Sequence, residues 1–296
     1  MTFAGEPRPF ERERDLPRII RLFADAHADS RDPDYQHPGG MEWWLRRIAK
    51  DDFTIHVWND GKDLAGFVID DAGYVIARTA DRRASSRMRL IEWSEKAFRA
   101  SGRTSIELPA ADDESELREA LASRGYEPSG TFGRELVFDI DGEPPAAALP
   151  AGYRLVTIDA IGDDAYVALH RAAWSDIRPS DYSRTLHDVV TAMPDFRPDM
   201  VPVVLAPDGT PAAYCIGWFD AASLSVEIEP LGTHSAYRRL GLGRAIVRDI
   251  HRRASRLGAR SVMVWGSHGN IGATQLYTSS GMEPRRTVRD YRRALR

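Results

Sequence analysis

Cysteine and lysine are both scarce in this sequence. Cys215 is the only cysteine among 296 residues, so an internal disulfide and a cysteine-based metal site are excluded. It lies in the apolar run AAYCIGWF, where we expect a buried side chain without a nucleophilic role. Among 40 basic residues, lysine occurs only at positions 50, 62 and 96. Because arginine is used almost everywhere else, an exposed arginine alone is weak evidence of a ligand site.

The sequence also lacks a long apolar run, an export signal and an excess of basic residues. No stretch approaches the roughly 20 apolar residues of a membrane-spanning helix. The first residues, MTFAGEPRPFERERD, lack the basic flank and apolar core of a signal peptide. The net charge of −4 excludes the strongly basic surface that nonspecific nucleic-acid binding needs. We therefore expect a cytoplasmic monomer or homodimer that binds neither nucleic acid nor membranes.

The length of the chain and one linker-like stretch predict two domains. For 296 residues we expect two domains of about 150 residues each. The stretch DGEPPAAALPAG, residues 141–152, combines proline, glycine and alanine without periodicity, which is typical of a linker. We place the linker at 143–151, between domains at 1–142 and 152–296.

Both halves follow a similar order of elements. In the second half we predict strands at 153–157, 201–206, 211–220, 223–233, 261–265 and 288–292, with helices at 163–173, 180–192, 242–257 and 271–280. In the first half we predict strands at 8–11, 54–59, 64–70 and 105–109, with helices at 16–26, 43–49, 86–99 and 114–123. LASRGYEPSGTFGREL at 121–136 also resembles LYTSSGMEPRRTVRDY at 276–291. This order predicts a duplicated α/β (α+β) fold, in which each domain has a mixed central sheet with helices on both faces.

The stretch SAYRRLGLGRAIVRDI, residues 235–250, has the features of an anion site. Two glycines stand where a helix begins, and they remove the Cβ atoms that would keep a ligand away from the backbone. The first amide groups of a helix have no partners within it, and the helix dipole also favours an anion there. Neighbouring arginines add charge-assisted hydrogen bonds. The pattern therefore predicts a phosphate site.

Two motifs on this half are similar to those of one enzyme family. Arg238-x-x-Gly241-x-Gly243 resembles the acetyl-CoA signature Q/R-x-x-G-x-G/A of the GNAT superfamily, the acetyl-CoA-dependent N-acetyltransferases. Asn270-x-x-Ala273-x-x-x-Tyr277-x-x-x-Gly281-Met282 is similar to the family's fourth helix and its end. The resemblance covers residues 152–296. It implies acetyl-CoA as cosubstrate, no metal, and an amine of a small molecule or peptide as acceptor.

The resemblance also implies the residues that hold acetyl-CoA. The backbone amides of the loop would bind the pyrophosphate; these residues are Arg239, Leu240, Gly241, Leu242, Gly243 and Arg244. Arg238 and Arg239 are candidates for the remaining phosphate. Thr233 would offer backbone groups to the pantetheine arm and the acetyl carbonyl, and Asn270 would bond the same arm. Asn270 is also a good N-cap for the helix that follows it.

Acetyl transfer to an amine needs a base, because an alkyl ammonium with a pKa of about 10 is charged at neutral pH. Glu227 and Glu229 lie two residues apart on a predicted strand, so their side chains share a face. Two neighbouring carboxylates raise each other's pKa, which suits a base. The resemblance agrees, since a glutamate at these positions often serves as base in the family. We favour Glu229, keep Glu227 as the alternative, and expect Tyr277 to donate a proton to the departing thiolate.

The first half lacks these features at the matching positions. Arg82 to Arg87 reads RRASSR, without either glycine, and Leu121 stands where the second half has Tyr277. We therefore expect a degenerate GNAT-like domain, in which Trp43, Trp44 and Trp58 are core or interface aromatics.

The tandem arrangement resembles that of the mycothiol synthases, although no residue specifies their substrate. Two alternatives to an acetyltransferase stay open. One is a CoA-binding regulatory module without turnover, and the other is an acyltransferase that uses a longer acyl-CoA. Glu227, Glu229 and Tyr277 argue against the first of these. Neither the loop motif nor these three residues distinguishes between acyl chains of different length.

Overall fold

The computed structural model describes residues 6–29, 34–47, 53–177, 180–267 and 269–295. The chain packs into two units, and neither is one continuous stretch. Unit 1 consists of Met1–Pro38, Ile48–Arg134 and Arg286–Arg296, and unit 2 consists of Gly39–Arg47 and Glu135–Arg285. Residues 39–47 and 286–296 thus each pack in the unit opposite to their predicted half, and the predicted linker lies within unit 2. The functional division at residues 143–151 stays a prediction.

Twelve strands and eight α-helices lie in the described residues. The strands are β1 (Arg8–Pro9), β2 (Thr54–Asp60), β3 (Asp63–Asp71), β4 (Tyr74–Thr79), β5 (Ser105–Ala111), β6 (Glu127–Asp139), β7 (Arg154–Thr157), β8 (Pro202–Leu205), β9 (Pro211–Asp220), β10 (Ser225–Thr233), β11 (Ser261–Ser267) and β12 (Glu283–Ala294). The helices are α1 (Arg12–His27), α2 (Pro38–Arg47), α3 (Ala84–Ala100), α4 (Ser115–Ser123), α5 (Asp163–Trp174), α6 (Arg184–Thr191), α7 (Leu242–Arg256) and α8 (Ile271–Ser279).

Every element predicted above is present, with ends that differ by a few residues. Helix α6 starts at Arg184 instead of residue 180, because the Ser183 hydroxyl caps it by accepting a hydrogen bond from the Leu186 amide at 3.2 Å. Helix α2 starts at Pro38 instead of Trp43, and proline suits a first helical position. Its predicted last residues, 48 and 49, lie outside the described residues. The structure adds β4 and β6, whose positions the sequence analysis did not specify.

Unit 2 is a sheet with helices on both faces. Its strand order is β11, β10, β9, β8, β7, with β6 beside β11, and β10 and β11 run parallel. On one face α7 packs against the sheet through Ile246, Val247 and Ile250, all fully buried, and Cys215 lies in the same core. On the other face α5 contributes Tyr166 and Leu169 to a second core. This layering confirms the predicted α/β class.

Unit 1 has the strand order β1, β2, β3, β4, β5, β12. Its last strand, β12, pairs antiparallel with β5 from Val288 opposite Ala111 to Ala294 opposite Ser105. Trp58 is a buried member of its core, as expected. Among the residues that the structure describes, no helix is long and apolar enough to cross a bilayer.

The duplication predicted from two similar stretches is visible in the backbone. Helix α4 ends at Ser123 and is followed by Gly125 with φ +79°, and then by β6. Helix α8 ends at Ser279 and is followed by Gly281 with φ +98°, and then by β12. Both glycines adopt the left-handed conformation that ends helices. The same helix–glycine–strand connection therefore occurs at matching places in the two halves of the sequence.

Candidate active site

The site of unit 2 begins where two parallel strands part. β10 and β11 pair from Ser225 opposite Ser261 to Glu227 opposite Met263. Both strands continue beyond this point, to Thr233 and Ser267. Within the described residues no further pairs join them, so the pairing of β10 with β11 ends at Glu227.

A β-bulge reshapes the same stretch of β10. Its pairing with β9 passes from Ile228 opposite Gly217 to Leu231 opposite Cys215, so β10 holds one extra residue there. The bulge contains Pro230, which has no amide to offer to a ladder, preceded by a cis peptide bond. The indole Nε1 of Trp218 donates to the Glu229 carbonyl at 2.6 Å. The carbonyl at the bulge therefore has a side-chain partner.

A short loop leads from β10 to the start of α7. His234 opens it, and its Nδ1 accepts a hydrogen bond from the Ala236 amide at 3.1 Å. Arg239 and Gly241 adopt left-handed backbone conformations, with φ +67° and +80°. Such a conformation strains most side chains, and glycine at 241 avoids that cost directly before the helix. The 15-residue helix α7 then presents its N-terminal amides to the loop.

A cavity of about 690 Å³ lies in front of this helix start. The end of α5, the end of β10, the loop and the first turns of α7 and α8 enclose it. Eight of the residues predicted above to hold acetyl-CoA line it: these are Thr233, Arg238, Arg239, Gly241, Leu242, Gly243, Arg244 and Asn270. Leu240 belongs to the same loop and is 44% exposed, but it is not among the described lining residues.

The residues present fit a CoA-type ligand. A Cβ at position 243 would lie 3.2 Å from Cδ2 of Leu276, so glycine allows α7 and α8 to approach closely there. A Cβ at position 241 would meet only the guanidinium of Arg244, at 3.9 Å, so this position opens into free space. The helix dipole and the exposed Arg239 and Arg244 add positive potential. This is the arrangement expected of a pyrophosphate cradle.

Arg238 is already engaged with the protein. Its Nε donates to the Thr233 carbonyl at 3.1 Å, and its Nη2 donates to the Ala173 carbonyl at 2.8 Å. Its Nη1 and Nη2 also donate to the Asp176 carboxylate, at 2.5 and 2.8 Å. The side chain thereby joins the end of α5 to the end of β10. Its predicted contact with a phosphate stays a prediction, and Arg239 and Arg244 are the cations that remain exposed.

Asn270 has the capping role that the sequence suggested. Its Oδ1 accepts a hydrogen bond from the Ala273 amide at 3.0 Å, at the start of α8. Its side chain is exposed and lines the cavity, so contact with a pantetheine arm stays a prediction.

The two strand carboxylates differ in their surroundings. Glu227 is 5% exposed, and burial, with the charges of Glu229 and Glu135, raises the pKa of its carboxyl well above the usual range. Glu229 is half-buried and lies two residues further along β10.

Tyr277 lies in the core shared by α7 and the sheet, and it is not among the described residues that line the cavity. It is 7% exposed, and its neighbours Ala273, Gln275 and Leu276 on α8 line the cavity. Burial, followed by the charge of Glu229, raises the pKa of its hydroxyl, so the phenol stays protonated at neutral pH. A protonated phenol can donate a hydrogen bond to a developing anion.

Several lining residues were not identified from the sequence. Trp174 lines the cavity from the end of α5, and its Nε1 donates to the Tyr214 hydroxyl at 2.9 Å. Gln275 and Ser279 lie four residues apart on α8 and therefore share a helical face. Their spacing on the helix that carries the second motif is the feature by which the sequence could have identified them as lining residues. Tyr237, which also lines the cavity, has no such feature in the sequence.

The matching place in unit 1 is lined by ion pairs of its own. A cavity of about 350 Å³ lies near the end of β4 and the starts of α3 and α4. Arg78 pairs there with Asp34 at 3.1 Å, and Arg87 pairs with Glu114. Leu121, the counterpart of Tyr277, is fully buried in the core. The loss of function that we expect for this half stays a prediction.

Comparisons with known proteins agree with this geometry. Residues 164–282 match the model of the Acetyltransferase (GNAT) family. No curated protein sequence matches the chain. A GCN5-related N-acetyltransferase from Sphaerobacter thermophilus is 18% identical, with a TM-score of 0.61 over 98% of this chain and 96% of that one.

Two further solved structures are similar along nearly the whole chain. A tandem GNAT protein from the clavulanic acid biosynthesis pathway is 17% identical, with a TM-score of 0.66 over 98% of both chains. A GNAT-family acetyltransferase from Colwellia psychrerythraea is 12% identical, with a TM-score of 0.63 over 97% of this chain and 99% of that one. At these identities the likeness concerns the fold, which is a tandem of two GNAT-like domains. Residues 164–282 therefore match the GNAT family of acetyltransferases, a family whose members use acetyl-CoA as cosubstrate.

Proposed function

We propose that this protein is an acetyl-CoA-dependent N-acetyltransferase that acts on a primary amine of a small molecule or peptide. One observation carries the proposal: the cavity at the start of α7 opens beside the strand that holds Glu227 and Glu229. A ligand cradle and a candidate base thus occur on one continuous stretch of chain. Acetyl-CoA, when bound, supplies an acetyl group activated as a thioester.

In this proposal the loop and α7 hold the CoA pyrophosphate through the backbone amides of residues 239–244. Arg239 and Arg244 are exposed and bind a further phosphate. Arg238 holds the loop against the end of α5 through Asp176. Asn270 and the main chain of Thr233 bind the pantetheine arm.

The carboxylate pair takes the proton of the acceptor ammonium. Glu229 is the favoured base because it is half-buried and lies nearer the loop. Glu227 is the alternative, and its raised pKa suits a group that accepts a proton near neutral pH. The Tyr277 hydroxyl, kept protonated by burial, donates to the departing thiolate.

The test is a screen of amine acceptors with acetyl-CoA, measuring CoA release, followed by variants. Replacing either base with Gln keeps the size of the side chain but removes its basic oxygen. We expect Glu229→Gln to lower kcat by about 10²–10⁴-fold and Tyr277→Phe by on the order of 100-fold. Acetyl-CoA affinity, measured by calorimetry, should stay within about twofold, as it should for the control Glu283→Gln on an exposed strand residue.

Other outcomes point to other functions. Tight acetyl-CoA binding without turnover on any amine would favour a CoA-binding regulatory module. Faster CoA release from longer acyl-CoA donors would favour an acyltransferase with a different donor. Full activity of the double variant Glu227→Gln/Glu229→Gln would remove both glutamates from the mechanism.

A further inference from the structure

A helix from the first half of the sequence is part of unit 2. Residues Gly39–Arg47 of α2 group with Glu135–Arg285. Trp43 on this helix is 5% exposed and belongs to the same core as Trp218 and Tyr182. Helix α2 therefore packs, through Trp43, into the core of the unit that contains the candidate active site. Trp43 is a core residue, as the sequence analysis expected.

The first turn of α2 reads Pro-Gly-Gly, and its third residue lies directly against Glu227. The Gly40 amide favours the charged form of the Glu227 carboxyl and so acts to lower its pKa. A Cβ on Gly40 would lie 1.9 Å from Oε2 and 2.6 Å from Cδ of Glu227. No other residue can stand at position 40 while Glu227 keeps its place. Gly40 does not have a positive φ, so the carboxylate alone, and not the backbone, requires glycine.

The contact has an electrostatic consequence. The first amides of a helix lack partners within the helix and form the positive end of its dipole. Burial of Glu227 and the charges of Glu229 on β10 and Glu135 on β6 all disfavour the ionised carboxylate. The Gly40 amide on α2 opposes them, because it favours the charged form.

We propose that the first turn of α2, through Gly40, positions the Glu227 carboxylate for proton transfer during acetylation. A segment from the apparently degenerate half thereby works in the active half. The inference rests on the proposed function with Glu227, the alternative base there, as the group that takes the proton, and it makes Gly40 a positioning residue that acts through Glu227. The atoms that a Cβ at position 40 would meet are the end of a flexible side chain, so a substitution there moves the carboxylate and not the backbone.

The experiment compares full-length Gly40→Ala with the wild type. We expect kcat to fall at least about tenfold, since small displacements of reacting groups are costly. Moving the carboxylate away from the Gly40 amide raises the carboxyl pKa, so the ascending limb of the pH–rate profile should move to higher pH. Acetyl-CoA affinity should be unchanged. The control is Gly130→Ala, whose Cβ would meet only Asp290 at an ordinary 3.5 Å.

A double variant separates positioning from simple packing. In a Glu227→Gln background, Gly40→Ala should cost little further activity if it acts through that carboxylate. An equal cost in both backgrounds, or a wild-type pH profile for Gly40→Ala, would overturn the inference. If Gly40→Ala does not fold, Glu227→Asp tests the same contact, because it withdraws the carboxylate by one methylene. Glu227→Asp should then shift the profile in the same direction, and an unshifted profile would refute the role.

A readout without turnover separates this inference from the proposed function. A ¹³C NMR titration of the Glu227 carboxyl should give a higher pKa in Gly40→Ala than in the wild type. If no amine is acetylated but this difference appears, the proposed function fails and the contact between α2 and Glu227 stands. Equal carboxyl pKa values would overturn the inference even in an active enzyme.

Discussion

Acidification should destabilise unit 2 through one buried histidine on α7. His251 on α7 is fully buried, and its ring stacks on Phe138 with centroids 4.0 Å apart and planes 7° apart. In the described structure neither ring nitrogen has a hydrogen-bond partner. Burial, and then the charge of Arg248, lowers the pKa of His251 from 6.5 to about 4. The folded state therefore holds this ring neutral.

The size of the effect follows from the two pKa values. Above pH 6.5 the ring is neutral in both states, and its full contribution to stability is present. As the pH falls from 6.5 toward 4, the unfolded chain binds the proton first, so the free energy of unfolding decreases. At about 1.4 kcal/mol per pKa unit, the complete loss is about 3 kcal/mol. About 2 kcal/mol of it falls between about pH 7 and about pH 5, a large share of an ordinary domain's stability.

The assay compares the wild type with His251→Leu, which keeps an apolar side chain but cannot titrate. Urea unfolding is followed between about pH 7 and about pH 5, and hydrogen exchange of amides in α7 reports on unit 2 specifically. We expect the wild type to lose about 2 kcal/mol more than the variant over this range. Equal losses, or a folded-state ¹⁵N titration of His251 near pH 6.5, would refute the reasoning.

Three further predictions concern the cradle and its supports. Gly241→Ala should weaken acetyl-CoA binding, measured by calorimetry, at least about tenfold. The control Gly258→Ala, at a glycine with the same left-handed backbone and open space around it, should leave the affinity unchanged. Equal affinities of the two variants would contradict a pyrophosphate site at Gly241. Arg238→Gln and Asp176→Asn should weaken acetyl-CoA binding to a similar extent, because each removes the ion pair between Arg238 and Asp176. An effect of Arg238→Gln alone would indicate that Arg238 contacts a phosphate directly. Ser183→Ala should cost about 1 kcal/mol in urea unfolding through loss of the α6 cap, and an unchanged midpoint would argue against the cap.

The elements were predictable where the signal is local. In α7, Val247, Ile250 and Ala254 repeat at helical spacing, and all three are fully buried. The hairpin between β8 and β9 followed from its turn residues, and Gly209 there has φ +88°. The loop and the helix start at Gly241 were likewise predictable, because the arginines that favour an anion and the glycine that the backbone needs lie within a few consecutive residues.

The remainder depends on contacts that sequence neighbours do not encode. No local pattern indicated that α2 packs in the same core as Trp218 or that Gly40 lies against the Glu227 carboxylate. Arg238 looked like a phosphate ligand, and its bonds to Asp176 and Ala173 depend on where α5 ends in space. The bulge at Pro230 depends on pairing with β9. These features arise from tertiary structure, which overrides what a linear pattern can specify.

The exchange of segments between the units has a consequence for synthesis and truncation. The strand that completes the sheet of unit 1, β12, is translated after everything else in that unit, yet it pairs with β5 over seven residue pairs. A ribosome-bound chain therefore holds unit 1 with an open edge on β5 until translation of β12 is finished. Such an edge invites pairing with other chains. Trimming the last dozen residues should consequently damage unit 1 before unit 2, and aggregation of nascent chains should begin at the open edge of β5.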